Sequence, residues 1–459
     1  MTSVKAWKAW RSSPPRARLE LDPMMWRLTL LVPMLIASSA GAQPQSEAPD
    51  IWVELKQNMH ALRVAIPELS AASPDVRADT AEVSRIMFDD ISFAAVFRIV
   101  DPKRYKLVKT LSAGFDYHGW ESIGSDIVIT GTVSRENQTL RAAIHVHAVK
   151  NEKTAFSTVY TEYRGSTRNL AHNVANRILA QFGLVGIATT DIVFASNRDS
   201  KTGSKNLWMM DYDGFGQHAI TRNRYLDFQP RFSPDGAKLS FLSYPKKNAP
   251  PVLAIHGEGP LLEGPGMLFS ASWSPDGKRI AFSSTRDEAG NAEIYVMSRD
   301  GTAIRRLTHH PGIDVSPSWS PTGRELVFTS ERTGSPQIFV MDAEGLNLRR
   351  LSRGGSYNAE PFWSPSKIHQ EIAYASRVEG RRFDIVVYDL ANRQLRQLTS
   401  QSGMNEGASW SPDGRHLVFT STRTGEPQVF IMNRDGANQR QLTFKGANTT
   451  PSWSPLKRK

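Results

Sequence analysis

The 459-residue chain contains no cysteine. Disulfides, thiolate catalysis and a lipid-modified cysteine are thereby excluded. Long apolar runs are missing too. The stretch Leu28-Thr-Leu-Leu-Val-Pro-Met-Leu-Ile36 is far shorter than the ~20 residues of a membrane-spanning helix. There is no Gly-x-Ser-x-Gly nucleophile elbow, no Gly-rich phosphate loop behind a strand and no Asp-x-Asp-x-Asp-Gly calcium series. His145 and His147 alternate on a strand and so face one side, but no neighbouring Cys, His or carboxylate completes a metal set. They read as surface histidines. Neither catalysis, a cofactor nor a metal is expected. Net charge is +11, but residues 1–42 hold six Lys/Arg against two Asp/Glu, leaving +7 for the remainder. That excess is spread out, and the short basic tail Lys457-Arg458-Lys459 reads as a solvated terminus rather than a nucleic-acid site.

What the chain does have is repetition. Phe232-Ser-Pro-Asp-Gly236, Trp273-Ser-Pro-Asp-Gly277, Trp319-Ser-Pro-Thr-Gly323, Trp363-Ser-Pro365, Trp410-Ser-Pro-Asp-Gly414 and Trp453-Ser-Pro455 are near-copies, with prolines 41, 46, 44, 47 and 43 residues apart. Ser-Pro-Asp-Gly is turn chemistry: proline presets φ and glycine takes φ > 0. An alternating apolar run follows, such as Arg279–Ser284 or Glu325–Ser330, then a third strand such as Ile338-Phe-Val-Met341. A fourth ends in Arg-Leu-Thr/Ser or Gln-Leu-Thr. Four strands at this period predict one propeller blade each. The first unit, Asp191–Ser196, lacks a preceding phrase, and the last phrase, at Trp453, lacks following strands. Pairing the two closes the ring at six blades and leaves no open sheet edge.

The expected fold is therefore mainly β: a C-terminal six-bladed β-propeller over 191–459, preceded by a small α+β domain over 51–183 and a linker at 184–190. In the α+β part, strands are expected at 51–55, 62–69, 93–100, 126–133 and 140–149, a helix from Ser73-Pro74 to about Asp90, and a second capped by Ser166 and stopped by Gly183. Residues 43–50 read as a flexible arm. Residues 1–42 read as a leader: Arg27, the short apolar stretch and Ala40-Gly41-Ala42 form an export signal with cleavage after Ala42. Residues 1–23 are polar, so the true start is taken as Met24 or Met25, with a long n-region as the alternative.

One pattern goes beyond blade-building. Five residues before each phrase aromatic stand Asp227, Leu268, Asp314, Asn358, Asn405 and Asn448. Six before it stand Leu226, Met267, Ile313, Tyr357, Met404 and Ala447. Both columns are expected in loops entering the innermost strands, at one rim of the channel. The Asx column reads either as turn caps or as contact groups. The apolar column reads either as loop-to-loop packing or as a ringed docking surface for a protein.

The segment Gly119-Trp120 through Val133, the run Asp211-Tyr-Asp-Gly-Phe-Gly-Gln217, the repeats and the terminal Pro451-Ser-Trp-Ser-Pro455 together resemble the TolB family of periplasmic Tol–Pal proteins. The resemblance implies a non-enzymatic monomer in the periplasm, without membrane insertion or nucleic-acid binding. It implies a propeller face that docks Pal, a peptidoglycan-associated lipoprotein, and a mature N-terminus that engages TolA, in support of outer-membrane integrity and cell division. Carried onto this chain, the Pal-facing residues are Leu226, Asp227, Ile313, Asp314, Tyr357, Asn358, Met404, Asn405 and Asn448. The N-terminal partner segment is Ile51, Trp52, Val53 and Leu55. The second repeat departs from the pattern at Leu268. A propeller sensor or ligand-binding protein, and a peptidase-type propeller without its catalytic domain, are the alternatives.

Overall fold

Each phrase makes the expected turn. Ser233 N–H donates to the Lys238 carbonyl and Gly236 N–H to the Ser233 carbonyl, both at 2.8 Å, with Gly236 at φ +73°. The same pair of bonds recurs at Ser274/Gly277, Ser320/Gly323 and Ser411/Gly414. The computed structural model describes residues 62–109, 114–163, 166–200, 203–378 and 382–457. The leader, the arm and the segment Ile51–Leu55 lie outside the described residues.

The phrases organise six four-stranded antiparallel sheets. Their innermost strands are Leu226–Phe232, Leu268–Trp273, Asp314–Trp319, Asn358–Trp363, Asn405–Trp410 and Asn448–Trp453. The last of these pairs with Asp191–Ser196, in the register Asn448↔Ser196 and Trp453↔Ile192. The ring is thus a six-bladed propeller closed by its own C-terminal strand. Between blades the second and third strands interdigitate as continuous apolar layers, for example Val327, Ile338 and Val340 against Trp363, Ile372 and Tyr374. Phrase tryptophans stitch neighbouring blades: Trp273 Nε1 donates to Ser240 Oγ (2.9 Å) and Trp319 Nε1 to the Ser272 carbonyl (3.1 Å), while Trp453 Nε1 ties the closing strand to Thr190 Oγ1 (2.8 Å).

Ahead of the ring lies the α+β region. Its strands are β1 (Arg63–Ala65), β2 (Ser70–Ala71), β3 (Arg98–Ile99), β4 (Ile127–Glu136), β5 (Thr139–Ala148) and β6 (Lys153–Tyr163). Its helices are α1 (Arg77–Phe93), α2 (Tyr117–Ser122) and α3 (Thr167–Gln181). The sheet order is β3-β1-β4-β5-β6, with β1 parallel to both neighbours. Buried side chains of α1 and α3 close over one face of the sheet. Ser166 caps α3 by accepting from Asn169 N–H.

Three expectations are corrected. The strand expected over 62–69 stops at Ala65, because Pro67 has no N–H for the ladder and the chain resumes as β2 further along β4. The strand expected over 93–100 shrinks to β3, because α1 runs on to Phe93 and Ala95 turns the chain at φ +55°. His147 is buried, not on the surface: it stacks on Phe115 at 3.9 Å and bonds Thr130 Oγ1 at 2.9 Å. β6, an eleven-residue edge strand, had no counterpart in the sequence reading.

The segment 184–190 leads into the ring and is itself packed. Ile187 and Ala188 are buried beside Phe93, and Asn176 Oδ1 accepts from Ala188 N–H at 3.0 Å. Across this junction Tyr212 Oη donates to Asp90, which also receives His172 Nδ1 at 2.8 Å. His416 stacks on Phe93 at 4.1 Å and bonds its carbonyl at 2.7 Å.

Candidate functional site: the two ends of the propeller channel

The rim residues are held by the hairpin between innermost and second strands. The carbonyls of Met267, Ile313, Tyr357 and Met404 each accept from the residue just beyond the second strand: Thr285, Glu331, Arg377 and Thr422. In the second and fifth repeats the residue before the apolar one is a glycine that must be a glycine. Gly266 and Gly403 sit at φ +82°, and a Cβ there would lie 2.7–2.8 Å from the opposing backbone. The rim loops are therefore fixed, not free. Leu226, Ile313, Tyr357 and Met404 are half-buried, with Tyr357 edge-on to Phe383 at 5.1 Å and Arg377 over its ring at 5.3 Å. Each leaves part of its side chain to solvent.

The Asx column is placed differently from the expectation. Asp314, Asn358, Asn405 and Asn448 are the first residues of the innermost strands, Asp227 is the second of its strand, and all five are buried. They present no surface to a partner in this state. Their side chains tie to neighbours beneath the rim. Arg332 Nη2 donates to Asp314 (2.7 Å), Arg423 Nη2 to Asn405 (3.2 Å) and Arg198 Nη2 to Asn448 (3.0 Å). Asn358 Nδ2 donates to Gln337 (2.8 Å), Asn448 Nδ2 to Gln428 (2.8 Å), and Ser243 Oγ to Asp227 (2.7 Å). Gln337 and Gln428 belong to the preceding blade, so the column laces blade to blade under the rim. Sequence reasoning missed the arginines, although Ser196-Asn-Arg198, Ser330-Glu-Arg332 and Ser421-Thr-Arg423 repeat one spacing.

Two residues further along, five innermost strands adopt the left-handed conformation: Gln229, Ser316, Glu360, Gly407 and Thr450 lie at φ +49° to +63°. Each marks a bulge in the ladder, and these residues narrow the channel to a small void of about 40 Å³. Glu360 faces this passage. Burial there raises its carboxyl above the usual range, although Gly407 N–H donates to it at 2.9 Å. Glu406 is raised by burial and by Glu360. Beyond the constriction the channel opens into a funnel of about 490 Å³ at the phrase end, walled by Pro234, Pro275, Pro321, Pro365, Pro412 and Pro455 with the phrase aromatics behind them.

His145 and His147 do not converge on a shared ligand. His145 Nδ1 bonds Ser157 Oγ at 2.8 Å, while His147 is engaged with Thr130 and Thr154. Among the described residues no cluster of three or more His, Cys, Asp or Glu is set to hold a metal ion, and no helix is long and apolar enough to cross a membrane.

A six-bladed ring behind a small α+β domain narrows the family, and comparison decides it. The family described as "TolB beta propeller domain" matches residues 182–385 and 361–459, and that described as "TolB amino-terminal domain" matches 53–155. The chain belongs to the TolB family. A "Protein TolB homolog" of Chlorobium luteolum is 31% identical over 384 residues, 82% of this chain and 86% of that one. A "Tol-Pal system protein TolB" of Desulfosudis oleivorans is 31% identical over 261 residues, 54% of this chain; the chain spans 58% of that relative's length. The crystal structure of TolB from Acinetobacter baumannii superposes with a TM-score of 0.74 at 22% identity, covering 86% of this chain and 97% of that one, which shows a shared fold. For this TolB-family chain, the matched spans take in both the α+β region and the rim-bearing ring.

Proposed function

We propose that this TolB-family chain is a periplasmic, non-enzymatic binding scaffold of a Tol–Pal system. A Pal-like lipoprotein docks on the channel rim, and a TolA-like protein engages the N-terminal segment around Ile51–Leu55. The observation that carries the reading is the rim itself. Leu226, Ile313, Tyr357 and Met404 recur at one repeat position, Leu226 opening its strand and the other three on loops fixed by backbone bonds, each half-buried. Fixed loops keep the ordering cost of association low, and an apolar ring of this kind suits a protein partner. The buried Asx column supports the rim from beneath and is assigned no contact. The likeness to Tol-Pal system proteins supports this choice of partners. The N-terminal role rests on resemblance alone, since that segment lies outside the described residues.

The test is a pair of measurements on Tyr357→Ala and Met404→Asp with a purified Pal-like domain. Partner affinity should fall by roughly 1–3 kcal/mol for each. Tyr357→Ala should also lose about 1 kcal/mol of stability, because the ring packs on Phe383. Unchanged affinity in both variants would remove the rim from the interface.

A further inference from the structure

The funnel at the phrase end of the channel takes no part in the docking just proposed, and its chemistry is of another kind. Its walls are mainly apolar, six prolines and the phrase aromatics, with serines between them. Proline has no N–H. Four of the five indole N–H groups are already donated: Trp273 to Ser240 Oγ, Trp319 to the Ser272 carbonyl, Trp410 to the Phe362 carbonyl and Trp453 to Thr190 Oγ1. Several of the serines that line it are engaged elsewhere: Ser233 Oγ donates to Asp235, Ser318 Oγ accepts from Trp363 N–H, Ser320 Oγ lies 3.1 Å from Thr322 Oγ1 and Ser454 Oγ donates to the Pro455 carbonyl. A peptide entering here would leave its backbone groups unpaired, whereas a hydrocarbon chain would lose nothing.

The floor is different. Arg231 and Phe362 line both the funnel and the narrow passage beyond it, so they form the partition between the two. The Arg231 guanidinium lies 5.4 Å from the Phe362 ring centroid, and Nη1 donates to its neighbour's carbonyl, Pro230 O, at 2.9 Å. Among the described residues no carboxylate reaches salt-bridge distance of it. Glu360 acts on it from the passage side, where its own carboxylate accepts from Gly407. Burial draws the guanidinium down to about 10, the sign of a cation short of counter-charge.

We propose that the funnel binds a single-chain amphiphile with a carboxylate head, a medium-chain fatty acid, with the head on Arg231 and the tail along the proline and tryptophan walls. A volume of about 490 Å³ is within the range of small-molecule sites. Charge complementarity sets the head group, and the mainly apolar wall sets the tail.

Decanoate, kept below its micelle concentration, is titrated into the full chain by calorimetry, with tryptophan fluorescence as a second readout. Saturable binding of one decanoate per chain is expected, weakened at least tenfold by Arg231→Gln. Pro365→Glu, on the exposed wall, should weaken it as much, and it serves if Arg231→Gln fails to fold. Decyltrimethylammonium, with the same chain and the opposite charge, should bind at least tenfold more weakly. The proposal is overturned by absent or unsaturable decanoate binding, by equal binding of the ammonium, or by undiminished binding in Pro365→Glu. Tyr357→Ala should leave decanoate binding unchanged, so this proposal and the rim proposal stand or fall separately.

Discussion

His147 shows how much a single side chain can differ from its sequence appearance. It looks like one of two strand-surface histidines, yet it stacks on Phe115 and is wedged between Thr130 and Thr154. Burial, and secondarily the neighbouring His145, hold its imidazole down to about 4. The unfolded chain takes up that proton near pH 6.5, and the folded chain does not until about pH 4. Stability from this site is thus complete above about pH 6.5 and declines as pH falls through that window. Denaturant melts at pH 7.5 and 5 should differ by ~1–2 kcal/mol, allowing for solvent screening. In His147→Gln that pH dependence should flatten; an unchanged slope would place the titrating group elsewhere. Tyr357 follows a similar logic on the rim: half its ring serves Phe383 and half is available to a partner.

At the level of elements, the closing strand carries the most weight for its length. Trp453 is buried, donates to Thr190 and packs in the cluster that joins ring to α+β domain. Trp453→Ala should cost ~3–5 kcal/mol. Deleting 448–457 should lower the melting temperature further and promote aggregation, because two sheet edges open. A truncated chain that melts like the full one would mean that closure does not depend on this strand. Gly403→Ala should distort the rim loop at Met404, since the added methyl meets Arg423 N at 2.8 Å at a φ of +82°; a crystal structure of the variant would show the shift. The ring was legible in the sequence because its turn chemistry repeats with its strands, so that local and long-range signals agree. β6 was not, because its Thr, Ser and Tyr residues carry weak apolar alternation and no tight-turn phrase follows. The rim column was found by aligning repeats. Its Asx neighbours were misplaced because an Asp or Asn that caps a loop and one that is buried beneath an arginine look the same in one dimension. The funnel was invisible for a simpler reason: six distant phrases contribute one proline each.

Over the whole molecule, the two domains meet through polar groups that are individually costly to bury. Asp90 accepts from His172 and Tyr212, and burial raises its carboxyl above the ordinary range. Arg168 spans the junction to Asp213 at 2.8 Å and lies over Phe215 at 4.0 Å. Tyr212→Phe deletes one donor and leaves Asp90 half-satisfied, which should cost ~1–3 kcal/mol. The loss should appear as a calorimetric endotherm that splits, with the α+β domain melting ahead of the ring. A single shifted transition would show instead that the domains remain coupled through Phe93 and His416.

The bond from Asp191 N–H to Ser454 Oγ joins residues 263 positions apart. Read as a matter of time rather than geometry, this makes the ring an all-or-nothing product of synthesis. The strand at 191–196 is made well before its partner at 448–453, so a growing chain carries it unpaired over that interval. A nascent chain cut short before Asn448 would keep that strand bare and remain open to proteases.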